Sequence, residues 1–170
     1  MVIVAALSLP ALGMSSGPGA YNSNDELTVK YGCSCHNNGA PSDRAVVMVT
    51  GVPLMYEPSE QYQLTIRVAD SLTLSGGEGN THAGFLLSSD AIGNFSWSED
   101  QEIRYADGRS DDASHSETST DGVWLISWLA PSEDVGSVQF WLAGNSVAGG
   151  GIPDDMDYWS RLSYTINSTA

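Results

Sequence analysis

The chain has 170 residues, enough for one domain with its own core and short of two comfortable ones. Its 6 Lys and Arg against 21 Asp and Glu give a formal charge of −15, so a polyanion such as DNA or RNA meets repulsion over most of the surface and nucleic-acid binding is disfavoured. The same charge opposes docking on anionic lipid and suits a soluble surface in salty or extracellular surroundings.

Residues 1–20 open with an apolar run from Val2 to Leu12 and then break into small residues, the order of a secretory signal's apolar region and cleavage zone. No basic residue precedes the run, and an N-terminal strand is the competing reading. Export would place the chain in a secreted or cell-surface setting, its cysteines in an oxidising compartment, and its two sequons, at Asn94 and Asn167, within reach of glycosylation. No later stretch reaches the about 18 apolar residues of a membrane span, so contact with a membrane is expected only through an anchor beyond Ala170.

Residues 21–44 are rich in Asn, Ser, Gly and Asp and carry no helical or strand period, which predicts an irregular segment. From Ala45 the texture changes to short β-branched and aromatic runs bounded by Gly, Pro, Asp and Ser: 45–52, 62–70, 82–90, 123–131, 138–144 and 161–166. These predict strands. In 62–68, Tyr62, Leu64, Ile66 and Val68 alternate with Gln63, Thr65 and Arg67, a pattern with one buried face. The run Val123–Pro131 is apolar almost throughout, so a central core strand is expected there. Trp124 and Trp128, four apart, share one face.

Helical periodicity is nearly absent among 18 glycines and 7 prolines. The predicted fold is all-β, a two-sheet sandwich rather than a barrel, with a leader over 1–20, an irregular segment over 21–44 and the sandwich over 45–170. Three long connections, 70–81, 98–122 and 145–160, are where such a scaffold keeps its function.

Several pieces occur in a familiar order: Gly32-Cys-Ser-Cys-His36, Val52-Pro53, Tyr56-Glu-Pro58, Tyr62, Gly84-Phe85, His115, Trp124, Trp128-Leu-Ala-Pro131, Val138 and Phe140-Trp-Leu-Ala-Gly-Asn145. This order, over roughly residues 31–166, resembles the Reeler (reelin N-terminal) domain. It is closer to prokaryotic relatives with Cys-x-Cys-His or Cys-x-x-Cys-His near the start, the choice-of-anchor V type. The resemblance implies an immunoglobulin-like β-sandwich in a secreted, matrix or envelope protein. Gly84 beside Phe85, and the two tryptophans, also read simply as core packing.

The chemistry concentrates in Cys33-Ser-Cys35-His36, which holds both cysteines and one of the three histidines. Haem c is held by two thioethers and an adjacent axial His, with Cys-x-x-Cys-His the familiar spacing. Here one residue separates Cys33 from Cys35, which demands a more extended backbone. The resemblance, in which both spacings occur at this place, implies a covalent haem c on Cys33 and Cys35 with His36 axial. His115 is then the preferred second ligand, ahead of His82, with Met48, Met55 and Met156 as softer alternatives. The same atoms suit copper, or less well zinc, through Cys33, Cys35, His36 and either His115 or an acid; His82 is a further metal candidate. A third reading is a strained, easily reduced Cys33–Cys35 disulfide.

The acidic clusters Asp154-Asp155-Met-Asp157 and Asp107, Asp111, Asp112 offer hard oxygen ligands for calcium without the spacing of an EF-hand. No Gly-x-Ser-x-Gly, phosphate-cradling Gly-Lys-Ser/Thr or His-Glu-x-x-His occurs, so no enzyme is expected. Two functions remain: electron transfer with a redox partner protein, or binding of a cell-surface protein or glycan with the cysteines as a local clip.

Overall fold

A computed structural model of the chain describes residues 17, 28–33, 36–149 and 154–169. Cys35 and the expected leader, apart from Gly17, lie outside the described residues. The elements are α1 (Thr28–Tyr31), β1 (Ala45–Thr50), β2 (Met55–Tyr56), β3 (Gln61–Asp70), α2 (Ser71–Leu74), β4 (His82–Ser88), β5 (Asn94–Ser96), β6 (Ile103–Tyr105), β7 (Asp112–His115), β8 (Val123–Leu129), β9 (Ser137–Val147) and β10 (Tyr158–Ser168). No helix among the described residues is long and apolar enough to cross a membrane.

The strands form two sheets, one in the order β1-β3-β8-β5 and the other β2-β10-β9-β4-β7-β6. All six predicted runs are strands, and the two-sheet all-β sandwich expected from them is the fold. Alternation decides what each strand buries. Leu64, Ile66 and Val68 of β3 and Trp124, Ile126 and Trp128 of β8 point inward, each no more than 2% exposed. Facing them from the other sheet are Phe85 and Leu87 of β4 and Val138, Phe140 and Leu142 of β9. Trp128 meets Phe140 edge-on at 5.0 Å between ring centroids, and Phe85 meets Trp124 at 4.8 Å. A fully buried aromatic of this kind contributes about 1.5–3 kcal/mol over an exposed one, so these rings carry much of the fold.

Two expectations are corrected. The run at 123–129 is interior to its sheet but buried on one face only: Val123, Leu125 and Leu129 are 38%, 47% and 41% exposed. Its hydrophobicity overstates its burial because the outer face of the four-stranded sheet is not covered there. The segment at 28–44 is not wholly irregular either. It contains α1 and a 3₁₀ turn, Asn37–Gly39, and Val29 is buried with Leu86, Ala106 and Ala143.

Candidate functional site

Successive residues of β4 face opposite ways, so while Phe85 and Leu87 enter the core, Leu86 points to the outer face of the six-stranded sheet. There, with Ala143 of β9, Val29 of α1 and Ala106, it forms a small apolar floor against which Cys33 and Trp141 pack. Gly32 has φ +84, and a Cβ on it would lie 1.9 Å from Cζ3 of Trp159. Only glycine both adopts this left-handed backbone freely and lets the chain lie flat on the indole. That close approach sets the level at which the chain leads into Cys33.

His36 is then fixed from both ends. Its backbone N–H donates to the Cys33 carbonyl at 2.9 Å, and its Nδ1 is 2.9 Å from Oδ2 of Asp157, 121 positions later in the chain. The carboxylate can only accept, so Nδ1 carries the proton and Nε2 is left for other work. The Asp157 side chain is 7% exposed and that of His36 21%. Asp157 is itself held: its Oδ2 also accepts the Asp154 N–H at 3.2 Å, while Asp154 Oδ1 accepts the Met156 N–H at 2.8 Å. Asn37 N–H to the Asp154 carbonyl at 3.0 Å and Ser42 N–H to the Trp159 carbonyl at 2.8 Å stitch the two chain segments together.

Behind this pair lies a polar clamp. Asp70 ends β3 and is fully buried. Its carboxylate accepts from the N–H groups of Leu72 (2.8 Å) and Asn80 (2.9 Å) and from Arg44 Nη2 (2.6 Å) and Nε (3.3 Å). Burial alone would push the Asp70 carboxyl up, but those N–H groups and the Arg44 guanidinium outweigh it and hold it below the ordinary value. The Asn80 amide carries the restraint onward, donating to the carbonyls of Ser146 (2.9 Å) and Met156 (2.8 Å). Arg44 also lies over the Tyr158 ring, 4.2 Å from its centroid. The 154–158 turn that presents Asp157 to His36 is thus tied to the ends of β3 and β9.

The other predicted ligands are placed elsewhere. His115 lies on β7 rather than in an open loop and is 6% exposed. The β4–β7 ladder stops at Leu86 and Ser114 and resumes only as a bridge between Ala83 and Ser119. The imidazole fills the interval: its Nδ1 lies 2.9 Å from the Phe85 backbone nitrogen and 3.0 Å from the Phe85 carbonyl oxygen. Burial holds its pKa below the ordinary value. A Cβ on Gly84 would lie 2.4 Å from Cε1, so that glycine is what admits the ring. His82 stands at the start of β4 with its Nδ1 3.0 Å from Thr81 Oγ1. Met48, Met55 and Met156 are 43%, 50% and 56% exposed.

Among the described residues, no group of three or more His, Cys, Asp or Glu side chains converges as a metal site. The structure therefore brings His36 to Asp157, and brings neither His115 nor His82 to that pair. The acidic clusters considered for calcium are used internally: Asp154 and Asp157 cap their own turn and hold His36, while Arg109 engages Asp111 at 2.7 Å and Asp112 at 2.9 Å.

No family model and no curated protein matches the chain. Solved structures do match its fold. The Reelin-N domain of F-spondin aligns at 15% identity with a TM-score of 0.50, covering 76% of this chain and 89% of that one. A human F-spondin reeler domain aligns at 15% identity with a TM-score of 0.47, covering 76% and 91%. A conjugate transposon protein from Bacteroides vulgatus aligns at 12% identity with a TM-score of 0.43, covering 75% and 87%. The first of these likenesses shows a Reeler-like sandwich fold.

Proposed function

We propose that the chain is an exported cell-envelope β-sandwich module that transfers electrons through a c-type haem attached at Cys33 and Cys35, with His36 as the axial ligand. The observation that carries this reading is the His36–Asp157 pair. A histidine that binds a metal through one ring nitrogen typically donates the other N–H to a carboxylate or carbonyl, which fixes the ring and raises its basicity. Here that carboxylate is brought from the far end of the chain and clamped in place, an arrangement a merely solvated histidine does not require.

The donor set also fits. Thiols and an imidazole are the groups that hold haem c, and Cys33 lies on an apolar floor that shields it from water on one side. When bound, the group supplies one-electron iron chemistry. The chain's own contribution is to orient His36 through Asp157, to flatten the segment on Trp159 through Gly32, and to present a strongly acidic surface to a redox partner carrying the opposite charge.

The test is expression with a haem c maturation system, followed by intact mass and a pyridine haemochrome spectrum. The expected result is a mass gain of one haem with a Soret band, lost in Cys35→Ser. Asp157→Asn should keep the covalent haem but weaken axial ligation by about 10-fold or more, read as easier displacement of His36 by added imidazole. Absence of both the mass gain and the Soret band overturns the reading and leaves a binding or adhesion module with the cysteines as a clip or a copper site.

A further inference from the structure

We propose that the groove between α1 and the outer face of β9 and β10 binds the carboxylates of a porphyrin, namely the propionates of the haem attached at Cys33 and Cys35. The inference rests on the electron-transfer reading above and adds two residues to it, Lys30 and Arg161. The groove has a volume of about 420 Å³ and is lined by Lys30, Trp141, Arg161, Leu162 and Ser163.

Cations are scarce in this chain, and two of its six converge here. Three of the others are committed: Arg44 to Asp70, Arg109 to Asp111 and Asp112, and Arg104 to the Gly17 carbonyl. Arg161 is exposed on β10 and makes no hydrogen bond or ion pair among the described residues, although the chain offers 21 acids. Lys30 Nζ rides 5.3 Å from the centroid of the Trp141 ring and is 3.6 Å from Asp90. That ion pair is about one-third exposed on each side, so it holds Lys30 weakly and exchanges readily for a ligand carboxylate. A guanidinium fork beside an ammonium suits paired carboxylates, the fork by bidentate contact and the ammonium as a point charge.

The groove's place selects the ligand. Trp141, which forms its wall, packs on the same apolar cluster as Cys33, and Lys30 precedes Cys33 by three positions. The thioethers and the propionates of a haem stand on different edges of the macrocycle. A chain that fastens one edge through sulfur therefore needs its cations beside the cysteines rather than among them, and the groove that Lys30 and Arg161 line does not include Cys33.

The apo chain can be titrated by fluorescence with deuteroporphyrin IX, which keeps both propionates and has no vinyl groups to react, and with its dimethyl ester. The expected result is binding of the diacid about tenfold tighter than the diester. The Lys30→Gln/Arg161→Gln double variant should lose that preference, whereas Arg67→Gln, an exposed cation of the other sheet, should keep it. Equal affinity for diacid and diester, failure to bind either, or a preference that survives in the double variant overturns the proposal. Because no covalent bond forms in this assay, the two readings fail separately. A diacid preference without haem attachment keeps the groove and removes electron transfer; attachment without the preference does the reverse.

Discussion

Replacing Asp70 with alanine is expected to lower the unfolding free energy by about 3–5 kcal/mol, the usual cost of removing one member of a buried charged network. The ion pair itself is the smaller part. The Arg44 side chain is 35% exposed, so solvent screens its attraction and offers it other partners. The larger part comes from the backbone N–H groups of Leu72 and Asn80, which lose their acceptor; Asn80 is only 9% exposed. Denaturant titration should show the loss as a lower midpoint, while Glu133→Ala, at an exposed position, should stay within about 0.5 kcal/mol of the parent. A loss below about 1 kcal/mol for Asp70→Ala would mean that the network is not cooperative. Because the Asp70 carboxyl titrates below its unfolded value of 3.8, its stabilisation is complete above that pH and is lost as pH falls through the folded value.

Asp112 should have the opposite pH signature. Its side chain is fully buried, and its Oδ1 has no hydrogen-bond partner among the described residues. Burial pushes its carboxyl up to about 6, with the neighbouring Asp111 charge adding to the effect and the Ser88 hydroxyl and the Arg109 guanidinium pulling it back. Between 3.8 and about 6 the folded state holds a proton that the unfolded state has released, so stability falls as pH rises through this window. The full interval corresponds to about 3 kcal/mol. His115 acts the other way in neighbouring conditions: its lowered pKa means that the unfolded chain takes up a proton first as pH drops below 6.5, and stability is lost. The two effects overlap, so the diagnostic quantity is the difference between parent and Asp112→Asn. Unfolding free energies measured from pH 4 to 7 should show the variant gaining on the parent as pH rises, by about 2–3 kcal/mol in all. A difference that does not change with pH would show that Asp112 is not held protonated by the fold.

The long strands were legible because β-branched and aromatic residues recur with period two. Residues 62–68 announced both their conformation and their buried face. Short strands such as β6 and β7 were not, since Asp112-Ala-Ser-His115 has little intrinsic strand preference and is extended because β4 and β6 pair with it. Reading His115 from its polar neighbours placed it in an open loop, when its ring in fact completes an interrupted ladder. Cys33-Ser-Cys35-His36 stands out as a cluster of reactive residue types from the sequence alone. The placement of His36 does not, because the carboxylate that holds it is separated from it by most of the chain and belongs to an acidic run that resembles any solvated turn. One cue was available: Asp157 directly precedes the aromatic strand start Tyr158-Trp159, where a buried acid next to a sheet needs a partner.

The contacts that seat the Cys33–His36 segment have a consequence for the order of events in the life of the chain. Much of what receives the segment, namely the Asp154 carbonyl, the Asp157 carboxylate that holds His36 and the Trp159 indole under Gly32, belongs to β10 or the turn before it, while the apolar floor under Cys33 is drawn from earlier elements. During synthesis, or threading through a membrane pore amino end first, the thiol and imidazole of this segment emerge while their seat has not yet been made. The attachment proposed at Cys33 and Cys35 thus has an interval before β10 completes the seat of His36.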